Sequence, residues 1–325
     1  MMRPTLHHLS LSEIYKAHKR IKQYIRNTPL DYSFQLSKEL RTSIYLKLEN
    51  SQVTGSFKPR GSLNKLLNQK PQRGVIASTA GNHGIGVSYA AYQLGIKADI
   101  YLPTWADKNK IAKLEQYGAH LRFFETVELA REAARKLAKE QDLMFISAYN
   151  DVDMITGGGT IGLEIFDECP DVDLVVVGVG GGGFASGICC ALKQLNPHIQ
   201  IIGVQAEKSA MMTHWLKHKK VVNVPLETTI AEGLAVNMEH DTITFPILTK
   251  HLDQMILVSE DEIKDALKWA LTEHQMVFEP SGAATIAGLR KLSLESFKNV
   301  VGIITGQNIS MSRLLNILGL SEKIG

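Results

Sequence analysis

The fold is decided by residues 175–187, which have the sequence VVVGVGGGGFASG. The run of branched apolar residues is typical of a buried strand, and a helical pattern follows the four glycines. Gly180, Gly181, Gly182 and Gly183 expose successive backbone N–H groups with no Cβ in the way, and the dipole of the following helix favours an anion there. The stretch therefore predicts a strand, a phosphate-binding loop and a helix.

Other motifs with glycine loops fit this stretch less well. A dinucleotide fingerprint needs an acidic residue near the end of the next strand, where this chain has Gln205. A P-loop needs a Gly-Lys-Ser/Thr sequence, which does not follow. A tight turn also uses glycine, but four glycines in succession cost more backbone entropy than a turn requires.

Short apolar runs recur along the chain, and helical patterns follow them. The runs lie at 74–78, 99–103, 120–124, 174–178, 201–204 and 300–304. This alternation predicts an α/β fold with parallel-rich twisted sheets, and strands that are apolar throughout indicate that helices cover both faces. Helices are expected at 106–118, at 127–141 and after the capping box that starts at Ser259. We predict two lobes with a cleft between them.

Lys58 lies in the sequence TGSFKPRG, residues 54–61, among small and apolar side chains. A lysine in such surroundings loses part of its preference for the charged form, which makes the amine available as a nucleophile or for a Schiff base. The alternative is an ordinary surface lysine in a turn.

Two further strand ends carry polar loops. Residues 77–86, ASTAGNHGIG, place a hydroxyl, an amide and an imidazole at a helix start, which suits a small carboxylate; simple helix capping by Thr79 or Asn82 is the alternative. Residues 303–308, IITGQN, add the hydroxyl of Thr305. Ligands bind beyond the carboxyl ends of parallel strands, so the three loops can converge. An amine, a phosphate loop and a carboxylate loop together indicate pyridoxal 5'-phosphate, which has an aldehyde and a phosphate.

Composition limits the partners. The chain has 325 residues, 44% of them hydrophobic, and a formal charge of +3. The compact basic cluster at 217–220 lacks interleaved aromatic residues, so we expect no nucleic-acid partner.

The cysteines are Cys169, Cys189 and Cys190, and they have no metal-ligand spacing. No segment is apolar enough to span a membrane. We therefore expect a cytoplasmic enzyme with a small-molecule substrate.

Five motifs occur in the order of a known family. They are residues 47–61, 79–83, 180–183, 228–236 and 279–284. With them the chain resembles the fold-type II pyridoxal-phosphate enzymes, whose fold is similar to that of the tryptophan synthase β subunit, and most closely the threonine/serine dehydratases and their serine racemase relatives. The resemblance implies a large cofactor-binding domain from residues 1–70 and 152–325, a small substrate-side domain from residues 71–151, and a homodimer or homotetramer.

The resemblance also implies roles for individual residues. Lys58 would hold the cofactor as a Schiff base and act as the base for the α-proton, next to Phe57, while the four glycines bind the phosphate. Asn82 would bond the ring hydroxyl, and Thr305 would lie against the pyridine nitrogen. The residues around the substrate carboxylate would be Ser56, Thr79, Ala80, Gly81 and His83.

The implied reaction is β-elimination from a hydroxy amino acid such as L-threonine or L-serine, which gives a 2-oxo acid and ammonia. A neutral hydroxyl at the pyridine nitrogen favours prompt elimination, because it does not enforce a protonated ring. Alternatives are a β-replacement transferase of the cysteine synthase type, a serine or amino-acid racemase, a 3-hydroxyaspartate-type dehydratase, and a non-catalytic protein that binds a phosphate ligand.

Three departures from the family pattern refine this prediction. Ala80 replaces the serine that protonates the opposite face in racemases, so racemase activity ranks below dehydration. Gln205 and Met211 stand where some relatives bind a divalent cation, so no metal is expected. The chain ends soon after Thr305, so no feedback control through an appended regulatory domain is expected.

Overall fold

The computed structural model describes residues 9–79 and 81–320. The helices are α1 (Leu11–Ile21), α2 (Phe34–Leu40), α3 (Pro59–Gln69), α4 (Asn82–Leu94), α5 (Lys108–Gln116), α6 (Val127–Gln141), α7 (Val152–Glu168), α8 (Gly183–Leu195), α9 (Met211–His218), α10 (Thr244–His251), α11 (Glu260–Thr272), α12 (Pro280–Arg290) and α13 (Met311–Ile317). The strands are β1 (Leu30–Tyr32), β2 (Ser43–Leu48), β3 (Val75–Ser78), β4 (Ala98–Pro103), β5 (His120–Phe124), β6 (Met144–Phe145), β7 (Leu174–Gly178), β8 (Gln200–Ala206), β9 (Gln254–Val258) and β10 (Asn299–Ile304).

The strands form two sheets, as the sequence predicts. The larger sheet has the order β1-β2-β10-β7-β8-β9, and the smaller one has the order β5-β4-β3-β6. The short β1 pairs with β2 in the antiparallel sense, and the other neighbouring strands are parallel. The α/β class with parallel-rich sheets is confirmed.

The larger sheet is apolar on both faces. In β7, Leu174 and Val176 belong to one buried cluster, while Val175 and Val177 belong to the cluster on the opposite face. Consecutive strand residues point to opposite faces, so an uninterrupted apolar run is what helices on both sides require.

The six predicted strands and the three predicted helices are all present. At the α11 start, the Glu262 N–H donates to Ser259 Oγ at 3.2 Å, and the Ser259 N–H donates to Glu262 Oε2 at 2.7 Å, which confirms the capping box. The expectation of strands that are apolar throughout is wrong for β5, where His120, Arg122 and Phe123 are exposed. The reason is its place at the edge of the smaller sheet, where one side lacks a neighbouring strand.

All strands of the smaller sheet lie between Val75 and Phe145. Its buried cluster also includes Ile21 of α1 and Leu63 and Leu66 of α3, so elements outside that range pack against it. The division into 1–70 with 152–325 and 71–151 stays a proposal, which the distribution of the strands supports. Within the described residues, no helix is long and apolar enough to cross a bilayer.

Candidate active site

Lys58 lies where a loop of the larger sheet turns into α3. Pro59 is the first residue of that helix, and its ring suits this position because it has no N–H to satisfy. The Phe57 N–H donates to the Thr305 carbonyl at 3.2 Å, and the Gln307 N–H donates to the Gly55 carbonyl at 2.9 Å. These bonds tie the lysine loop to the loop after β10, so two of the predicted loops meet.

The Lys58 amine lies in a mostly apolar pocket. Its Nζ is 4.7 Å from the centroid of the Phe57 ring, which stacks on Phe184 with the two centroids 4.0 Å apart. Gly86 of α4 packs so closely that an added Cβ would lie 2.8 Å from the Lys58 Cβ. Burial lowers the pKa of Lys58 to about 8, and the carboxylate of Glu279 opposes this shift in part. The amine is therefore easier to deprotonate than an ordinary lysine.

The glycine loop lies at the start of α8. Gly182 has φ of +84°, a left-handed conformation that glycine adopts readily, and its neighbours have no room for a side chain. A Cβ on Gly181 would collide with the ring of Tyr149, and one on Gly183 would lie 2.7 Å from the Tyr149 Cα. The glycines of this loop are thus required by packing as well as by any ligand.

Lys58 and Gly183, the last glycine of the loop, line one small cavity. Its lining includes Phe57, Lys58, Ala148, Gly183 and Phe184. The helix start beside it has no side-chain cap among the described residues, so its first N–H groups and the positive end of the helix dipole are suited to an anion.

Asn82 begins α4, and both ends of its carboxamide are engaged. Its Nδ2 donates to Glu279 Oε1 at 2.6 Å, and its Oδ1 accepts from Asn308 Nδ2 at 2.7 Å. Glu279 is buried, and burial raises the pKa of its carboxyl, while Lys110, the bond from Asn82 and Lys58 act in the opposite direction. One N–H of the Asn82 amide remains for a ligand.

The carboxylate loop is partly self-bonded. The Gly81 N–H donates to Thr79 Oγ1 at 3.0 Å, so the Thr79 hydroxyl shapes its own loop. Ala80 lies outside the described residues. The Ser56 hydroxyl is buried and has no hydrogen-bond partner among the described residues, which leaves it available to a ligand. Thr305 is buried at the end of β10.

His83 is buried and neutral. Burial, with a smaller effect from Lys58, lowers its pKa to about 3. Its Nε2 lies 3.0 Å from the carbonyl oxygen of Ile146, so Nε2 carries the proton and Nδ1 is left as an acceptor. A neutral imidazole with a free acceptor nitrogen does not attract a carboxylate directly. Its predicted contact with the substrate stays a prediction, and the geometry favours a role in shaping the loop.

Sequence reasoning gave no role to several residues of this site. Glu279 was part of a family motif, and Phe184 directly follows the glycines, so their positions were visible although their contacts were not. Tyr149 lies in a stretch without a strong pattern, and Asn308 ends the polar loop at 303–308, to which the sequence assigned a contact only through Thr305. Only the fold brings them to the glycine loop and to Asn82.

The groups present fit pyridoxal phosphate. An amine with a lowered pKa can bind an aldehyde, an uncapped helix start can bind a phosphate, and an amide N–H can bond a ring oxygen. The unpartnered hydroxyl of Ser56 adds a donor for a carboxylate.

Comparisons with known proteins agree with this chemistry. The model of the pyridoxal-phosphate dependent enzyme family matches residues 21–306. The L-threonine ammonia-lyase of Thermotoga maritima is 39% identical over 95% of this chain and 78% of the relative. The solved structure of a threonine deaminase from Solanum lycopersicum, isoform 2 in its processed form, has a TM-score of 0.87 at 32% identity and covers 95% of this chain and 94% of its own. Maize serine racemase has a TM-score of 0.89 at 27% identity and covers 94% and 96%.

The chain therefore belongs to the pyridoxal-phosphate dependent enzyme family, of fold type II. It is an enzyme of the lyase type that uses pyridoxal phosphate, as the sequence predicts.

Proposed function

We propose that this protein is an ammonia-lyase that acts on L-threonine or L-serine. Water is eliminated first and is taken up again when the enamine product hydrolyses, so the net products are a 2-oxo acid and ammonia. The observation that carries the proposal is the Lys58 amine, with its pKa lowered to about 8, at the cavity that Gly183 of the glycine loop also lines. The similarity to an L-threonine ammonia-lyase and to a threonine deaminase supports L-threonine as the first substrate to test.

The cofactor contacts follow from the groups at the site. We assign Lys58 to the aldehyde carbon and the N–H groups of Gly180, Gly181, Gly182 and Gly183 to the phosphate. Asn82 would donate its remaining N–H to the ring oxygen, Thr305 would bond the ring nitrogen, and Phe57 would form a wall of the pocket. Pyridoxal phosphate, when bound, supplies an electron-withdrawing ring that accepts the electron pair released at the substrate Cα.

Lys58 then acts as the base. With a pKa of about 8, about a tenth of the amine is unprotonated at pH 7, far more than for an ordinary lysine. Nζ accepts the proton from the substrate Cα. The Phe57 ring, whose centroid is 4.7 Å from Nζ, covers one side of the amine, and burial keeps the pKa of Lys58 low.

The substrate carboxylate is assigned to the loop with the free donors. The Ser56 hydroxyl is the strongest candidate because it is buried without a partner among the described residues. Thr79, Ala80, Gly81 and His83 complete the proposed loop around it, with His83 as a support that is tied to the Ile146 carbonyl.

A racemase is the second candidate, because maize serine racemase has nearly the same fold. The methyl group of Ala80 cannot transfer a proton, so the face of Cα opposite Lys58 lacks the acid that the resemblance assigns to a serine there. Elimination, which needs the lysine alone at Cα, is favoured. A β-replacement transferase and a 3-hydroxyaspartate-type dehydratase remain as outcomes of the test.

The test is an assay for 2-oxo acid and ammonia with both enantiomers of threonine, serine and 3-hydroxyaspartate, followed by chiral analysis of the unreacted amino acid. We expect equal amounts of oxo acid and ammonia from L-threonine without inversion. Inversion without ammonia would instead identify a racemase. Turnover of O-acetylserine only when sulfide is present would identify a β-replacement enzyme.

We also propose a cytoplasmic homo-oligomer, a homodimer or a homotetramer. Tyr32 and Phe34 are exposed aromatic side chains at and next to the edge strand β1, and such groups are enriched at protein interfaces. Cys169, Cys189 and Cys190 are free thiols, which suits a reducing compartment. Light scattering on the purified protein tests the assembly, and a monomeric mass would contradict it.

A further inference from the structure

The Asn82 carboxamide is fixed from both ends. If it were flipped, its oxygen would face the Glu279 carboxylate and its Nδ2 would face the Asn308 amide nitrogen. Both contacts would then be repulsive. The orientation of Asn82 therefore depends on Glu279 and on Asn308 holding its own orientation.

Asn308 has no freedom of its own. Its Nδ2 donates to the Thr54 carbonyl at 2.9 Å and to Asn82 Oδ1 at 2.7 Å, so both amide protons are used. Its Oδ1 accepts a hydrogen bond from Lys113 Nζ. A flip of Asn308 would turn its amide protons toward the Lys113 ammonium and its oxygen toward the Thr54 carbonyl, so Lys113 and Thr54 together favour the observed orientation.

Lys113 comes from a different part of the molecule. It lies on α5, which packs against the smaller sheet, whereas Asn308 follows β10 of the larger sheet. Lys113 is half-buried, and it lies near both Glu279 and Lys110. Lys110 lies one turn earlier on the same face of α5, and its Nζ is 3.6 Å from Glu232 Oε2. The helix therefore contacts residues outside the smaller sheet at two points, Asn308 and Glu232. Helix α5 is thus connected, through the side-chain amides of Asn308 and Asn82, to the predicted contact with the cofactor ring.

We infer that Lys113 and Asn308 are positioning residues that hold Asn82 with a donor, rather than an acceptor, directed at the ring oxygen of the cofactor. The inference rests on the proposed function, in which Asn82 meets that oxygen. A donor there stabilises the anionic form of the ring oxygen, whereas a rotated Asn82 would offer its own oxygen and favour the protonated form.

The experiment uses the purified enzyme loaded with pyridoxal phosphate, and two measurements that do not depend on turnover. The first is the ratio of the two main absorption bands of the bound cofactor at a fixed pH, which reports the protonation of the ring. The second is the dissociation constant of pyridoxal phosphate, from titration of the cofactor-free protein.

Lys113→Met keeps an unbranched side chain that is shorter by the terminal amine, and so removes the donor. We expect the band ratio to move toward the protonated form and the cofactor to bind about fivefold more weakly, because one charge-assisted hydrogen bond is lost. Lys113→Arg keeps a donor and should restore the wild-type ratio. Lys108→Met changes an exposed residue of the same helix and should leave both measurements unchanged.

Asn308→Ala should give the same spectral shift, and the double variant should shift little further, because the two residues act in one chain. Thermal unfolding of each cofactor-free variant checks the fold. If Asn308→Ala fails to fold, the Lys113 variants decide alone. A Lys113→Met enzyme with the wild-type spectrum and the wild-type affinity for pyridoxal phosphate would overturn the positioning role of Lys113, while the proposed function would stand. A wild-type protein that does not bind pyridoxal phosphate would overturn both.

Discussion

Lys58 and Arg60 are two residues apart in the chain, yet their pKa values shift in opposite directions. Arg60 is fully buried and makes two-pronged bonds, to Glu49 at 2.8 Å for each contact and to Glu164 at 2.6 and 2.8 Å. Burial disfavours its charge, but the two carboxylates raise its pKa above the ordinary value. For Lys58, burial dominates and the pKa falls to about 8.

The difference shows how one loop can hold a firmly charged arginine beside a lysine that loses its proton more easily. The Arg60 network also includes Lys47, which lies 2.9 Å from Glu164 and 2.8 Å from Glu168, so β2, α3 and α7 are joined by charge. That network fixes the start of α3, and Lys58 lies at that start. Arg60, which is paired with two carboxylates, therefore holds the backbone, while the Lys58 amine beside it has no ion pair among the described residues and a lowered pKa.

The largest expected effect comes from removing the unpaired amine. Lys58→Ala should lower oxo-acid formation from L-threonine by at least about 10³-fold, because both the cofactor linkage and the base are lost. The measurement is a coupled oxo-acid assay. Lys136→Ala is the control, since the Lys136 side chain is 77% exposed, and it should keep full activity. Retained turnover in Lys58→Ala would remove Lys58 from the mechanism.

The paired charge should instead affect stability. Arg60→Met leaves the buried carboxylate of Glu49 without its cation and leaves Glu164 with Lys47 as its remaining cation, and we expect the free energy of unfolding to fall by about 3–5 kcal/mol. Urea denaturation measures this. Arg290→Met breaks a similar pair with Glu39 at the surface, where we expect a loss of about 1 kcal/mol or less. Equal losses at the two sites would contradict the role given to burial.

The lowered pKa of Lys58 should also make the stability of the protein depend on pH. In the cofactor-free protein Lys58 releases its proton near pH 8, whereas in the unfolded chain it does so near 10.5. Between these values the unfolded state binds more protons, so the Lys58 contribution makes the protein more stable as the pH rises, by up to about 3 kcal/mol. The difference between wild type and Lys58→Met in urea melts from pH 7 to pH 10.5 measures it. A flat difference would show that the amine is not desolvated.

The smallest expected effect concerns Glu279, whose negative charge raises the pKa of Lys58. Glu279→Gln removes a negative charge that raises the pKa of the amine, so that pKa should fall below about 8. Labelling of Lys58 in the cofactor-free protein by an amine-reactive reagent, followed over pH by mass spectrometry, gives the value. A pKa at or above that of the wild type would show that Glu279 does not act on Lys58.

Much of the fold could be predicted from local pattern, and the failures have a physical cause. Strands such as β7 and β10 are buried on both faces, so their apolar runs are unambiguous. Local pattern did not reveal β1 and β6, which have three and two residues, or β2 and β9, whose burial varies along the strand. The edge strand β5 was expected to be fully covered, because an edge is a property of the sheet and not of the segment.

By itself the sequence determined the α/β class, the glycine loop, the lysine motif and the family, because recurring apolar runs and short motifs encode them. The tertiary structure decided which charges are paired. Glu49 and Glu164 meet Arg60, and Lys113 meets Asn308, across separations of 11, 104 and 195 residues. Local pattern carries no information about such distant partners. Two carboxylates keep the pKa of the buried Arg60 high, whereas burial dominates at Lys58 and lowers its pKa.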